Sequence, residues 1–108
     1  HLRREGSETG TAELAGLGNN MLLAADPHSG EVRRFLVAPP GAEVTGATLT
    51  SDHRTLFVNI QHPGETPGDI SDPTRPRLFS NWPDQRPDGR PRSATVAIRK
   101  LDGGVIGS

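Results

Sequence analysis

Between Val44 and His62 the chain reads VTGATLTSDHRTLFVNIQH, with apolar and polar residues alternating on both sides of a polar centre. Ala47 and Leu49 alternate with Thr48 and Thr50, and Leu56, Val58 and Ile60 alternate with Phe57 and Asn59. A period of two belongs to a half-buried strand. Ser51-Asp52-His53-Arg54 supplies turn residues between the runs, so the stretch predicts two antiparallel strands in a hairpin. The inner hairpin of a β-propeller blade has this pattern.

Two further pairs flank it. Met21 to Ala25 is a short apolar run, Asp26-Pro27-His28-Ser29-Gly30 reads as a turn, and Glu31 to Ala38 (EVRRFLVA) reads as a returning strand. Ser93 to Lys100 (SATVAIRK) alternates again, Asp102-Gly103-Gly104 turns, and Val105-Ile106 begins a last short strand. Residues 1–20 are polar and Gly-rich, end in Gly16-Leu17-Gly18-Asn19-Asn20, and read as loop. His62 to Arg92 is dominated by Pro, Gly, Asp and Arg, and a loop of that length is usually functional or disordered. It is expected to be the most mobile part of the chain.

These segments predict an all-β fold: an antiparallel meander forming about one and a half blades of a partial β-propeller with long loops. Residues 21–38 would be the outer strand pair of one blade, and residues 44–107 the next blade, interrupted by the loop at 62–92. In such a meander residues 1–20, Pro39 to Thr45 and His62 to Arg92 emerge on one rim. The turns at Asp26 to Gly30, Ser51 to Arg54 and Asp102 to Gly104 emerge on the other. Function tends to sit on loops held by a rigid scaffold, which favours the first rim.

Composition narrows the picture. The 108 residues are only 31% hydrophobic and include 13 Gly and 10 Pro, so the core is small and loops are extensive. A net charge of -1 provides no basic field to draw nucleic acid or a membrane surface, and there is no apolar run near transmembrane length. Eleven of the twelve basic residues are Arg, whose planar fork suits carboxylate or phosphate, although a GC-rich genome yields the same bias. The absence of Cys excludes disulfides and thiolate metal ligands within the chain. The start at His1-Leu2-Arg3-Arg4, without Met, reads as that of a fragment. The common Gly-loop, zinc and nucleophile-elbow signatures are absent.

The segments GNNMLLAADPHSGEVRRFLVAPPGAEVTG (Gly18 to Gly46), RTLFVNIQHPGE (Arg54 to Glu65), and NWPD followed by RPRSATVAIRKLDGGVIG resemble the C-terminal end of the bacterial PhoX-type alkaline phosphatases. GAEVTG and FVNIQHPGE in this order and spacing are far more specific than a generic hairpin. The resemblance covers about residues 18 to 107. It implies a periplasmic or secreted propeller phosphomonoesterase that uses calcium and iron and is exported by the twin-arginine route. The family's metal-bridging cysteine has no counterpart here, so the expected role is one rim of the active site, inactive alone.

Glu43, where the chain enters the blade, is the first candidate metal ligand, because a carboxylate suits a hard cation such as calcium. Its structural alternative is an acceptor fixing the turn before Thr45. Asn59, His62 and Glu65 are further metal candidates at the exit of the second strand, with Gln61 beside them; His62 could equally be a turn residue before Pro63. Arg90 and Arg92, with Arg86, are the phosphate-binding candidates, as a bidentate Arg suits phosphate oxygens, but Asp84 and Asp88 share their loop. Trp82 is expected to pack that loop onto the blade.

The partners implied are a phosphate-ester substrate, the remaining propeller blades and, through open sheet edges, a further copy of the chain. Two other classes stay open: a non-catalytic propeller module that binds a partner, and a propeller hydrolase such as a calcium-dependent lactonase. Acidic ligands and a Cys upstream of these residues would favour the phosphatase.

Overall fold

The computed structural model describes residues 19–65, 74–77 and 79–108. Most of the segment expected as an N-terminal loop, residues 1–20, therefore lies outside the described residues, as do Ile70 and Leu78 of the long loop. The described residues form five strands: β1 (Met21–Ala25), β2 (Val32–Val37), β3 (Glu43–Leu49), β4 (Leu56–Gln61) and β5 (Ala94–Ile98). They form two antiparallel sheets, β1-β2 and β3-β4-β5, and the described residues contain no helix. The fold class is all-β, as the alternating pattern predicts.

Strand β4 holds the core together. Leu56, Val58 and Ile60 are buried while Phe57, Asn59 and Gln61 are exposed, so the period of two becomes an inner and an outer face. Val58 is completely buried. Ala38 and Ala42 complete the buried cluster, and Leu22, Leu36, Val44, Trp82, Val96, Ile98 and Ile106 pack around it. Leu22 and Leu36 come from β1 and β2, so the first hairpin reaches this core at one end while most of its length is exposed. Burying each such aliphatic side chain contributes about 1.5–3 kcal/mol, the main attraction available to so small a core.

Strand β3 departs from simple alternation. Thr45 lies opposite Asn59 and Thr48 opposite Phe57, so Gly46 and Ala47 together face the single residue Val58. This is a β-bulge, and Gly46 takes the left-handed conformation (φ 60°) that such a bulge favours in glycine. Asn59 Nδ2 would lie 2.6 Å from a Cβ placed on Gly46, which adds a steric reason for glycine there.

Glu43, expected where the chain enters the blade, is the first residue of β3 and pairs with Gln61. The Val44 amide donates to Asn20 Oδ1 at 2.9 Å, which supports the strand's start. One sequence expectation is corrected: Val105-Ile106 forms no strand. The Ile106 amide donates instead to the His53 carbonyl at 2.8 Å, and Ile106 packs against the core. The described second sheet therefore has three strands rather than four.

Loops gather at the two ends of the sheets. At one end Arg54 Nη1 donates to the Gly103 carbonyl, joining the β3-β4 turn to the turn after β5. At the other, Pro39 to Ala42 is pressed against His62 to Glu65: the Gly64 amide donates to the Pro40 carbonyl at 2.7 Å, and each segment closes its own turn. Gly41 has φ 77°, and a Cβ there would stand 2.6 Å from Glu65 N and 2.8 Å from Glu65 O. In the long loop, residues 79–92 are organised by local bonds, including Gln85 N to Asn81 O at 3.1 Å and Arg92 N to Trp82 O at 3.2 Å. Trp82 packs against the core, as expected.

Two predictions follow from these turns. Replacing Gly41 by Ala combines a positive φ with a backbone collision, so it should destabilise the chain by about 1–3 kcal/mol and speed amide exchange at Gly64 before that of β4. Equal protection of Gly64 in the variant would contradict the packing described.

The second concerns Asp52, whose carboxylate accepts from Thr50 Oγ1 at 2.6 Å and from the Arg54 amide at 3.1 Å. These bonds, the Thr50 hydroxyl foremost, hold its pKa below the usual value. A lowered folded-state pKa means the turn's stabilisation is present above the unfolded value and is lost as pH falls through the lower folded one. The Arg54 amide resonance should therefore titrate with a midpoint below about 3.9, and Asp52→Asn should abolish that titration. A midpoint above that value would refute the assignment.

Candidate functional site

The packed loops at the Glu43 end create the best-defined polar cluster. His62 follows β4 and leaves the ladder with φ 38°, a left-handed conformation uncommon outside glycine. Its backbone amide donates to Ser93 Oγ at 3.0 Å. The turn carries the imidazole in between two carboxylates: Nε2 lies 3.4 Å from Glu43 Oε2, and Nδ1 lies 3.2 Å from Glu65 Oε2. Nδ1 also lies 3.1 Å from the Gly41 carbonyl. Both ring nitrogens thus face oxygen atoms.

Glu43, His62 and Glu65, three of the four metal candidates, are therefore neighbours. They are partly exposed, so their ion pairs are open to solvent. The two carboxylates meet different nitrogens of one ring and are held apart by it. Among the described residues, no three His, Cys, Asp or Glu side chains gather as a metal centre.

Asn59, the fourth candidate, is on the same outer sheet face, where Thr45 is its cross-strand neighbour on one side and Thr95 on the other. Its Oδ1 accepts from Thr95 Oγ1 at 2.7 Å, so its amide oxygen is engaged within the sheet. Thr45, Asn59, Gln61, Ser93 and Thr95 line an open groove of about 430 Å³. The groove offers uncharged donors and acceptors beside the charged cluster.

The arginine candidates divide. Arg92 Nη2 lies 2.5 Å from Asp84 Oδ1, so its charge is matched inside its own loop. Arg86 pairs more loosely with Asp88 at 3.7 Å. Arg90 is exposed and makes no hydrogen bond or ion pair among the described residues, which leaves its guanidinium accessible.

Three positions that shape the cluster were not singled out by sequence reasoning: Asn20, Gly41 and Ser93. Asn20 supports the start of β3, the missing side chain of Gly41 lets the two turns touch, and Ser93 holds the His62 amide. The one legible signal is the position of Ser93, directly before β5 and one step past the last registered pair of the β4-β5 ladder, Ile60 with Ala94.

The sequence profile of the family described as "Alkaline phosphatase PhoX" matches residues 2–64. Among solved structures, the chain is similar to Pseudomonas fluorescens PhoX in complex with vanadate, a transition state analogue. The identity is 46% and the TM-score 0.73, over 95% of this chain and 16% of that one. The chain thus spans about a sixth of the length of that relative, and the likeness is consistent with a partial β-propeller. No curated protein matches the chain. With more than half of its residues inside the family profile, the chain belongs to the PhoX alkaline phosphatase family.

Proposed function

We propose that this chain forms one rim of the active site of a metal-dependent phosphomonoesterase and is inactive alone. The observation that carries the reading is the approach of Glu43, His62 and Glu65 at one end of the second sheet, in a chain of this family. The vanadate bound to the relative is an analogue of a phosphoryl-transfer transition state, which supports a phosphate ester as the substrate of the longer protein.

The donor chemistry fits the metals implied by the family in part. Two carboxylates and the Gly41 carbonyl are hard oxygen donors suited to calcium, and an imidazole suits iron. Glu43 would be the carboxylate that meets a metal ion, and His62, lying between Glu43 and Glu65, would orient both carboxylates. Bound metal would supply positive charge to offset the negative charge of the phosphoryl oxygens. Asn59 serves this reading by shaping the neighbouring groove, since its oxygen is bonded to Thr95.

Arg90 is the better phosphate ligand of the two proposed, because Arg92 is already paired with Asp84. The remaining blades would cover the exposed apolar side chains of Leu23, Phe35, Val37, Leu49 and Phe57. Failing that cover, the open edges of β3 and β5 would favour pairing with another copy. The family resemblance supports a periplasmic or secreted location.

In a full-length PhoX protein carrying this chain, Glu43→Gln should lower calcium-dependent phosphatase activity by about 10- to 100-fold while shifting the melting temperature by only a few degrees. Unchanged activity at saturating calcium would reject the metal role and leave Glu43 as an acceptor for His62. The chain by itself, supplied with iron and calcium, should release no phosphate above a metal-only blank. Turnover that copurifies with it would overturn the assignment to a partial site.

A further inference from the structure

We infer that Ser93 is a positioning residue for this cluster: by accepting the His62 amide, its hydroxyl holds the backbone turn that places the imidazole between Glu43 and Glu65. The inference rests on the proposed function, but its geometry is independent of any bound metal.

The hydrogen-bond pattern carries the argument. The β4-β5 ladder pairs Ile60 with Ala94 at its last registered position, so a strand continuing past Gln61 would place His62 beyond the end of β5. His62 instead turns to φ 38° and points its N–H at Ser93 Oγ, 3.0 Å away and 31 residues along the chain. A left-handed backbone is unfavourable for a residue with a Cβ and persists where surrounding contacts fix it. The contacts present are the Ser93 hydroxyl on the amide, Gly41 on the ring, and the Glu65 amide on the His62 carbonyl at 3.2 Å.

Of these three, only Ser93 lies outside the two packed turns. It joins the cluster to β5 and thus to the far end of the 62–92 loop. Ser93 also lines the groove beside Asn59, Gln61 and Thr95, so it stands where the charged cluster meets the uncharged groove. Its own hydroxyl proton is not used by the bond to His62, because the oxygen acts there as acceptor. Loss of the bond would free the His62 turn and spread the imidazole over several orientations. The expected symptom is a lower fraction of molecules with the cluster assembled, with the groove otherwise intact.

The test compares Ser93→Ala, Ser93→Thr and Glu43→Gln in a full-length PhoX protein carrying this chain. Hydrogen exchange of the peptide covering residues 61–65, kcat, KM and the melting temperature are measured for each. Ser93→Ala should speed exchange in that peptide and lower kcat roughly three- to tenfold, the factor one neutral hydrogen bond commands, with KM and melting temperature little changed. Ser93→Thr, which keeps the acceptor oxygen, should restore both.

Wild-type exchange in Ser93→Ala would overturn the inference, as would faster exchange spread evenly over β4 with a lowered melting temperature. Faster local exchange with wild-type kcat, where Glu43→Gln is impaired, would also overturn it by leaving Ser93 a purely structural role. If Glu43→Gln keeps full activity, the proposed function fails on its own account. The exchange measurement then still decides whether Ser93 holds His62.

Discussion

The amide of Asn20 is the constraint on which the arrangement of both sheets depends. It is buried, with only 5% of its surface exposed, and it works in two directions. Its backbone carbonyl accepts from Ala38 at the end of the first hairpin, and its side-chain oxygen accepts from Val44 at the start of β3. A buried polar group without partners would cost more than a single hydrogen bond returns, so the interaction is strongly directional. It ties the end of the first hairpin to the start of β3. Glu43, one residue before Val44, inherits its place from this bond.

From that anchor the polar cluster is assembled by backbone contacts as much as by side chains. The turn at 39–42 meets the turn at 62–65 without an intervening side chain, because Gly41 has none. The closeness brings the Gly41 carbonyl and the Glu65 carboxylate to the same ring nitrogen of His62, while Glu43 approaches the other from the strand. Glu43 and His62 lie within the stretch matched by the family profile, and Glu65 directly follows it.

Much of the fold was legible in the sequence, and the reasons for the remainder are specific. The alternation of Leu56, Val58 and Ile60 with Phe57, Asn59 and Gln61 maps directly onto the two faces of β4, because a regular strand obeys its own period. Val105-Ile106 was misleading because an apolar pair can enter a core from a turn, without a ladder. The residues of the cluster could be named from the chain, but their approach could not. The bonds that create it join Asn20 to Val44 and His62 to Ser93, across separations that carry no periodic signature.

The bulge in β3 has a consequence for how this strand can change over time. Because Gly46 and Ala47 share one position opposite Val58, Glu43 and Thr45 face the same side as Thr48, whereas an unbroken strand would put them on the opposite side from it. Loss of one residue here would exchange inside for outside in one half of the strand. Either Glu43 would turn toward the apolar layer, or Leu49 would turn away from its cross-strand partner Leu56. Length at this point is therefore under stricter constraint than side-chain identity: substitutions at Ala47 should be frequent among functional relatives and single-residue gaps rare.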